Sequence, residues 1–210
     1  MSLAGLIARQ SARPQGLLGR LIFGPYLDRA NRRINDLVHD ALGYRSDSRI
    51  LEIGFGGGAL LLRIAQELET GGIDGVEISG EMRDRVLARA RKLGVADRVS
   101  LKTGSVEALP FDNACFDRIC SVHTLYFWPD LEAGLREIAR VCKPGGALVL
   151  GFSSQQALID SGWTAQGFHA YAEDEVRRAY EQAGFTVEPA QRARRDAGGE
   201  FIAMRGVRSI

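Results

Sequence analysis

The stretch Arg49-Ile50-Leu51-Glu52-Ile53-Gly54-Phe55-Gly56-Gly57-Gly58-Ala59-Leu60-Leu61 decides how this chain is put together. Ile50, Leu51 and Ile53 make a short apolar run of the kind found in buried strands. Glycines follow at 54, 56 and 58, and a helical stripe starts at once with Leu60, Leu61, Ile64, Ala65 and Leu68. Strand, glycine turn and helix, in that order, bring main-chain N–H groups and a helix start against a nucleotide-like ligand. Glycine suits the turn because positive φ costs it little and it has no Cβ to hold a ligand away. A second strand-like run, Ile73-Asp74-Gly75-Val76-Glu77-Ile78, places the acid Glu77 near its end. Together the two pieces describe a site for an adenosine-containing molecule.

Outward from this point, strands and helices alternate. The pattern predicts strand 49–54 and helix 58–69, then strand 73–78 and a helix that Ser79 caps and Gly94 stops. Strand 98–103, strand 116–122, helix 130–142 and strand 147–152 follow, and a helix near 173–183 precedes strands near 185–190 and 200–206. Such alternation predicts an α/β fold, a doubly wound, mostly parallel seven-stranded sheet with helices on both faces. Too few residues separate the last two strands for a helical crossover, so they are expected to form a C-terminal antiparallel hairpin. Before residue 46, Leu27, Ile34, Leu37, Val38 and Ala41 recur at helical spacing. Residues 1–45 are therefore expected to be an N-terminal helical lid, and residues 46–210 the cofactor-binding domain.

The chain has 210 residues, 45% hydrophobic and 25% charged, with a net charge of +1. That suits one globular domain and gives no global signal for nucleic acid. Cys115, Cys120 and Cys142 have no metal-ligand spacing, so no metal is expected, and scattered thiols suit a reducing compartment. With no signal-peptide pattern and no long apolar run, a cytoplasmic location is expected. The first 49 residues carry eight arginines against four aspartates. A solvated surface explains that excess, and weak peripheral contact with an anionic membrane is its sharper alternative.

Dinucleotides and S-adenosylmethionine both use a glycine turn after the first strand. Spacing does not separate them, because Ala59 is tolerated at the third position of the dinucleotide fingerprint. Glu52 does more: an acid two residues before the first glycine is unhelpful beside a pyrophosphate and useful beside a sulfonium and an ammonium.

With Glu52 placed, the sequence resembles the class I S-adenosylmethionine-dependent methyltransferases, in particular the small-molecule group acting on quinones and phospholipids. The marks are 51–58, Gly75-Val76-Glu77-Ile78-Ser79, Leu109-Pro110-Phe111 before Phe116-Asp117, Leu135-Arg136-Glu137-Ile138 before Lys143-Pro144-Gly145-Gly146, and Tyr171-Ala172-Glu173-Asp174-Glu175-Val176 with Ala183-Gly184-Phe185. The resemblance implies that Glu52 shapes the loop around the methionine part of S-adenosylmethionine. It implies further that Gly54, Phe55, Gly56 and Gly58 line it, that Glu77 accepts from both ribose hydroxyls with Ile78 beside it, that Ser105 and Val106 border the adenine, and that Ser121 and Val122 line the methionine side. The family commonly has Asp where this chain has Ser105.

His123 follows the fourth strand and is the candidate general base, with a merely packed histidine as the alternative. Tyr26, Tyr126, Trp128, Trp163 and Phe168 are the candidate walls for a small-molecule or lipid-like acceptor, although aromatics are usually core. The expected chemistry is in-line methyl transfer. A nicotinamide-dependent oxidoreductase would need a catalytic pair such as Tyr-x-x-x-Lys, which is not found, and a non-catalytic cofactor-binding module would lack an acceptor pocket.

Overall fold

The computed structural model describes residues 31–196 and 198–210. The apolar run at 50–53 is buried throughout and sits mid-sheet, where both faces of a parallel strand are covered. The elements are α1 (Arg32–Leu42), β1 (Arg49–Ile53), α2 (Ala59–Glu67), β2 (Gly72–Glu77), α3 (Gly80–Leu93), β3 (Val99–Thr103), β4 (Phe116–Val122), α4 (Leu131–Val141) and β5 (Cys142–Ser153). Then come α5 (Gln155–Asp160), α6 (Glu173–Gln182), β6 (Phe185–Val187), β7 (Gln191–Arg194) and β8 (Glu200–Arg208). The sheet runs β3-β2-β1-β4-β5-β8-β6, with β7 also paired to β8. β1 to β5 pair in parallel, and β8 is antiparallel to β5, β6 and β7. Apolar clusters fill both faces.

Local chemistry explains the helix ends. Ser79 Oγ accepts the Met82 N–H at 3.3 Å to start α3, and Gly94 ends it at φ 71. Asp130 accepts the Ala133 N–H at 2.8 Å to start α4. The loop between β3 and β4 carries no α-helix, and α4 clamps it instead. Arg140 donates to the carbonyls of Leu109 (3.0 Å) and Phe111 (2.8 Å) and pairs with Glu137, whose carboxylate accepts the Leu109 N–H at 2.8 Å. The Leu109-Pro110-Phe111 and Leu135-Arg136-Glu137-Ile138 motifs are therefore two sides of one contact.

Three expectations change. The hairpin's first arm splits into β6 and β7, giving eight strands, because Pro189 has no N–H for the ladder. β5 starts at Cys142 and not near 147, with an irregular register where Pro144-Gly145-Gly146 pass Asp117. The stretch 153–172 contains α5. Of the 1–45 segment, residues 1–30 lie outside the described residues. The described helix α1 packs Ile34, Val38, Ala41 and Leu42 into the core, and a Cβ on Gly151 of β5 would sit 2.5 Å from Val38. That part is a core helix. Among the described residues no helix is long and apolar enough to cross a membrane.

Candidate active site

β2 and β3 lie on one side of β1, β4 and β5 on the other, so the carboxyl end of β1 is the switch point where open α/β sheets bind ligands. The glycine turn occupies it. Gly54, Gly56 and Gly58 all have positive φ (70, 46 and 74°). The turn is pinned by Gly54 N–H to Val76 O and Gly58 N–H to Phe55 O, both 2.7 Å. Two of these glycines serve different ends. A Cβ on Gly54 would collide with the Thr124 side chain, whereas a Cβ on Gly56 would meet nothing within 4 Å. Gly54 is required by packing, and Gly56 leaves open space beside the turn.

Two acids flank that space. Glu77 accepts the Gly56 N–H through Oε2 and the Ser79 N–H through Oε1, each at 3.1 Å, so one side chain couples the turn to the start of α3. Glu52 is only 3% exposed, and its Oε2 has no hydrogen-bond partner among the described residues. Burial, then the neighbouring Glu77 charge, push its carboxyl up to about 8. Arg89 of α3 reaches back to the Gly57 carbonyl.

The other expected cofactor residues divide. Ile78 is 54% exposed directly after Glu77, an apolar surface at the strand end. Ser105 is half-buried, forms an isolated bridge with Ala108 and accepts from Glu107 N–H at 3.5 Å. The Phe55 ring is buried against Gly75 of β2, so only its main chain borders the turn. Val106 packs in the core against α4 at Gly134. Ser121 is buried, donates to Ile53 O at 2.8 Å and touches Thr124 Oγ1, which ties the ends of β1 and β4 together. Val122 packs on the opposite core cluster. For Phe55, Val106, Ser121 and Val122 the side chains are therefore engaged within the protein.

At the ends of β4 and β5 the two aromatic segments do meet. Phe168 stacks edge-on with Phe127 (centroids 4.5 Å) and Trp163 (4.6 Å), and His169 N–H donates to Tyr126 O at 3.2 Å. Trp128 is 7% exposed and seals α4, with a Gly134 Cβ position 2.9 Å from its ring, so its ring packs in the core as those of Tyr126 and Phe168 do. Tyr26 lies outside the described residues.

His123 adopts φ 57, rare for a residue with a side chain. Tyr126 accepts the Ser153 N–H and lies 3.0 Å from His123 Nδ1. When the tyrosine directs its proton to Nδ1, the imidazole proton resides on Nε2; the opposite tautomer places it on Nδ1, donating to the tyrosine oxygen. Burial, reinforced by the Arg195 charge, pushes His123 down to about 4. A neutral imidazole with a protonated Nε2 is a hydrogen-bond donor, and so weak a base is poorly matched to proton removal at neutral pH. A general-base role for His123 stays a proposal, and this low basicity weighs against it.

Thr124, Arg89 and Arg195 were not singled out in the sequence. Each contacts residues far along the chain, and a threonine or arginine in a loop or on a helix face carries no periodic signal. Two grooves lie near these elements. One of about 310 Å³ is lined by Arg32, Asn35 and Asp36 of α1 and Ala59, Leu60 and Arg63 of α2, beside the glycine turn. Another of about 530 Å³, lined by Arg49, Lys102, Leu109, Pro110, Phe111, Asp112 and Cys115, lies by the starts of β1 and β4, away from the turn.

Residues 51–150 match the family described as "Methyltransferase domain". The chain is 34% identical over 125 residues to a 27-O-demethylrifamycin SV methyltransferase of Amycolatopsis mediterranei, covering 60% of this chain and 46% of that one. It is 35% identical over 121 residues to a demethylmenaquinone methyltransferase of Lactiplantibacillus plantarum, covering 56% and 51%. This chain spans about half the length of these relatives. In fold it is similar to a SAM-dependent methyltransferase from Aquifex aeolicus, with a TM-score of 0.74 at 20% identity over 88% of this chain and 96% of that one. The glycine turn at the switch point and the paired acids thus lie within a stretch, 51–150, that is similar to a methyltransferase domain, in a fold shared with a SAM-dependent methyltransferase.

Proposed function

We propose that this protein moves the methyl group of S-adenosylmethionine to a small-molecule acceptor that is apolar or aromatic in part. The observation that carries this is the open space at Gly56, held at φ 46 and bonded to Glu77, with the buried Glu52 carboxyl nearby, whose Oε2 has no partner among the described residues. Glu77 oxygens each accept one main-chain N–H and keep a lone pair for a ribose hydroxyl. Ile78 supplies an apolar flank for the adenine, bordered on its far side by Ser105 and the main chain of Val106. Glu52 provides negative charge under the turn, which favours a cationic ligand. Ser121 acts indirectly, by holding the strand ends and Thr124 beneath Gly54, and Val122 and Phe55 act by packing.

Bound there, S-adenosylmethionine supplies a methyl group already activated by a positive sulfur. The protein's share is to hold an acceptor atom in line and keep water out, and proximity and orientation then account for much of the catalysis. Tyr126, Trp163 and Phe168 provide apolar surface at the strand ends, and His123 orients the acceptor by donating from Nε2. A lid role for the N-terminal segment 1–45, with Tyr26 as an acceptor contact, rests on the sequence, since residues 1–30 lie outside the described residues. The three free cysteines suit a cytoplasmic protein. No nucleic-acid partner is proposed, and the arginine-rich first segment is assigned at most weak membrane contact.

The test is incubation of the protein and cell extract with methyl-labelled S-adenosylmethionine. A labelled small molecule that disappears with Gly56→Leu supports the proposal. A folded protein that binds the cofactor and labels nothing is a non-catalytic module.

A further inference from the structure

Two buried side-chain atoms lack a hydrogen-bond partner among the described residues, and only one of them, Glu52 Oε2, lies in the cofactor site. The other is Arg195 Nη1, at the turn between β7 and β8. The fold brings this turn to the acceptor end of the sheet. Ser154 N–H donates to Glu200 O at 2.9 Å, and Gly199 fits against Ala157 of α5, where a Cβ would collide with it. Arg195 N–H closes the turn on Gly199 O at 3.0 Å. Its guanidinium then lies 5.5 Å from the centroid of the Phe201 ring, and the His123 ring centroid lies 5.6 Å from that of the same phenylalanine.

The acids of this turn are committed elsewhere. Asp196 pairs with Arg33 of α1 at 2.7 Å, and Glu200 pairs with Arg192 at 3.3 Å. Arg195 thus keeps a desolvated, always-protonated donor with no carboxylate to meet it. Beside it, His123 offers a second donor in the tautomer that places its proton on Nε2, a nitrogen that makes no hydrogen bond among the described residues. Two donors, one of them cationic, packed against the same aromatic ring match an anionic oxygen group and match neither a cation nor a plain hydrocarbon.

We propose that Arg195, with His123, recognises an anionic oxygen group on the methyl acceptor, a carboxylate, a phosphate or an ionised phenol. The proposal rests on the methyl-transfer reading and names its substrate class: an apolar or aromatic body carrying an acidic group. Arg195 sets which acceptor binds and leaves cofactor affinity untouched, because none of its contacts involve the glycine turn or Glu77.

The test uses benzoate and its neutral isostere benzamide as probes, titrated into the full chain loaded with S-adenosylhomocysteine, with the His123 ring resonances followed by NMR. Benzoate is expected to bind about tenfold or more tightly than benzamide, the size of one charge-assisted hydrogen bond, and to raise the His123 pKa by neutralising Arg195. Arg195→Met should erase the preference, Arg195→Lys should keep part of it, and S-adenosylhomocysteine affinity should stay within about twofold in both. Equal binding of benzoate and benzamide by the wild-type protein overturns the proposal without any variant, as does an undiminished preference in a folded Arg195→Met protein. The loading step separates the two claims: failure to bind S-adenosylhomocysteine counts against methyl transfer, and binding of S-adenosylhomocysteine without anion preference counts against Arg195.

Discussion

The proposed cofactor end and the proposed acceptor end of this sheet each hold one buried polar atom without a partner among the described residues, and they are built in opposite ways. At the cofactor end the unpartnered group is a carboxylate, Glu52, set among glycines and main-chain N–H groups that lie within a few residues of it. At the acceptor end it is a guanidinium, Arg195, brought to His123 and Tyr126 by a β-turn docked on α5. One end favours positive charge and the other negative charge. A site made by consecutive backbone can be read along the chain. A site made by side chains converging from distant elements needs the fold first.

The largest effect that could break this comparison is at Trp128. If it is core, Trp128→Ala should cost about 3–5 kcal/mol of stability, measured by denaturant unfolding, with cofactor affinity unchanged once folded. A stable variant with weakened acceptor binding would place Trp128 in the acceptor wall.

Gly56→Leu comes next. A side chain there enters open space, so packing should survive apart from about 1–2 kcal/mol for positive φ. S-adenosylmethionine affinity should fall about 100-fold or more, roughly 2.7 kcal/mol. Gly54→Ala makes the contrast: it strikes Thr124 and should show mainly as lost stability.

Glu77→Ala should weaken S-adenosylmethionine binding by about 30-fold, roughly 2 kcal/mol. Because Glu77 also holds Gly56 and Ser79, some stability should go with it, and Glu77→Gln should restore part of both. A calorimetric dissociation constant unchanged in folded Glu77→Ala would take Glu77 out of the site.

The subtlest difference is in proton balance. Glu52 has its pKa raised to about 8, so the free protein holds a proton there at neutral pH. Its folded value exceeds the ordinary 4.5, so its contribution to stability falls as pH rises between 4.5 and about 8, and Glu52→Gln should remove that slope. A cation bound nearby should expel up to one proton, visible as calorimetric heats that vary with buffer ionisation enthalpy. His123, lowered to about 4, has the reverse sign. Its contribution to stability is lost as pH falls from about 6.5 toward 4, and NMR titration should find it neutral at pH 6.

Much of the cofactor end was legible. Ser79 as cap, Gly94 as stop, the glycine turn and Glu77 at the strand end all act through neighbours in sequence, where local rules hold. The parallel pairing of β1 to β5 followed from strand–helix alternation. The side chains of Phe55, Val106 and Trp128 were not legible, because an apolar residue beside a site gives no sign of which side of the backbone it takes, and here core packing engages all three. Arg195 was invisible because its significance depends on Asp196 and Glu200 being engaged by Arg33 and Arg192. His123 was placed correctly at the end of β4, yet its role turns on the Tyr126 hydroxyl and the Ser153 N–H, a network that no spacing reports.

The central claim is that the glycine turn with Glu52 and Glu77 forms a site for S-adenosylmethionine. Titration calorimetry of the full chain with S-adenosylmethionine, S-adenosylhomocysteine and NAD tests it most directly. The account predicts that both S-adenosyl compounds bind and that NAD does not. Binding of NAD with none of S-adenosylmethionine would contradict it.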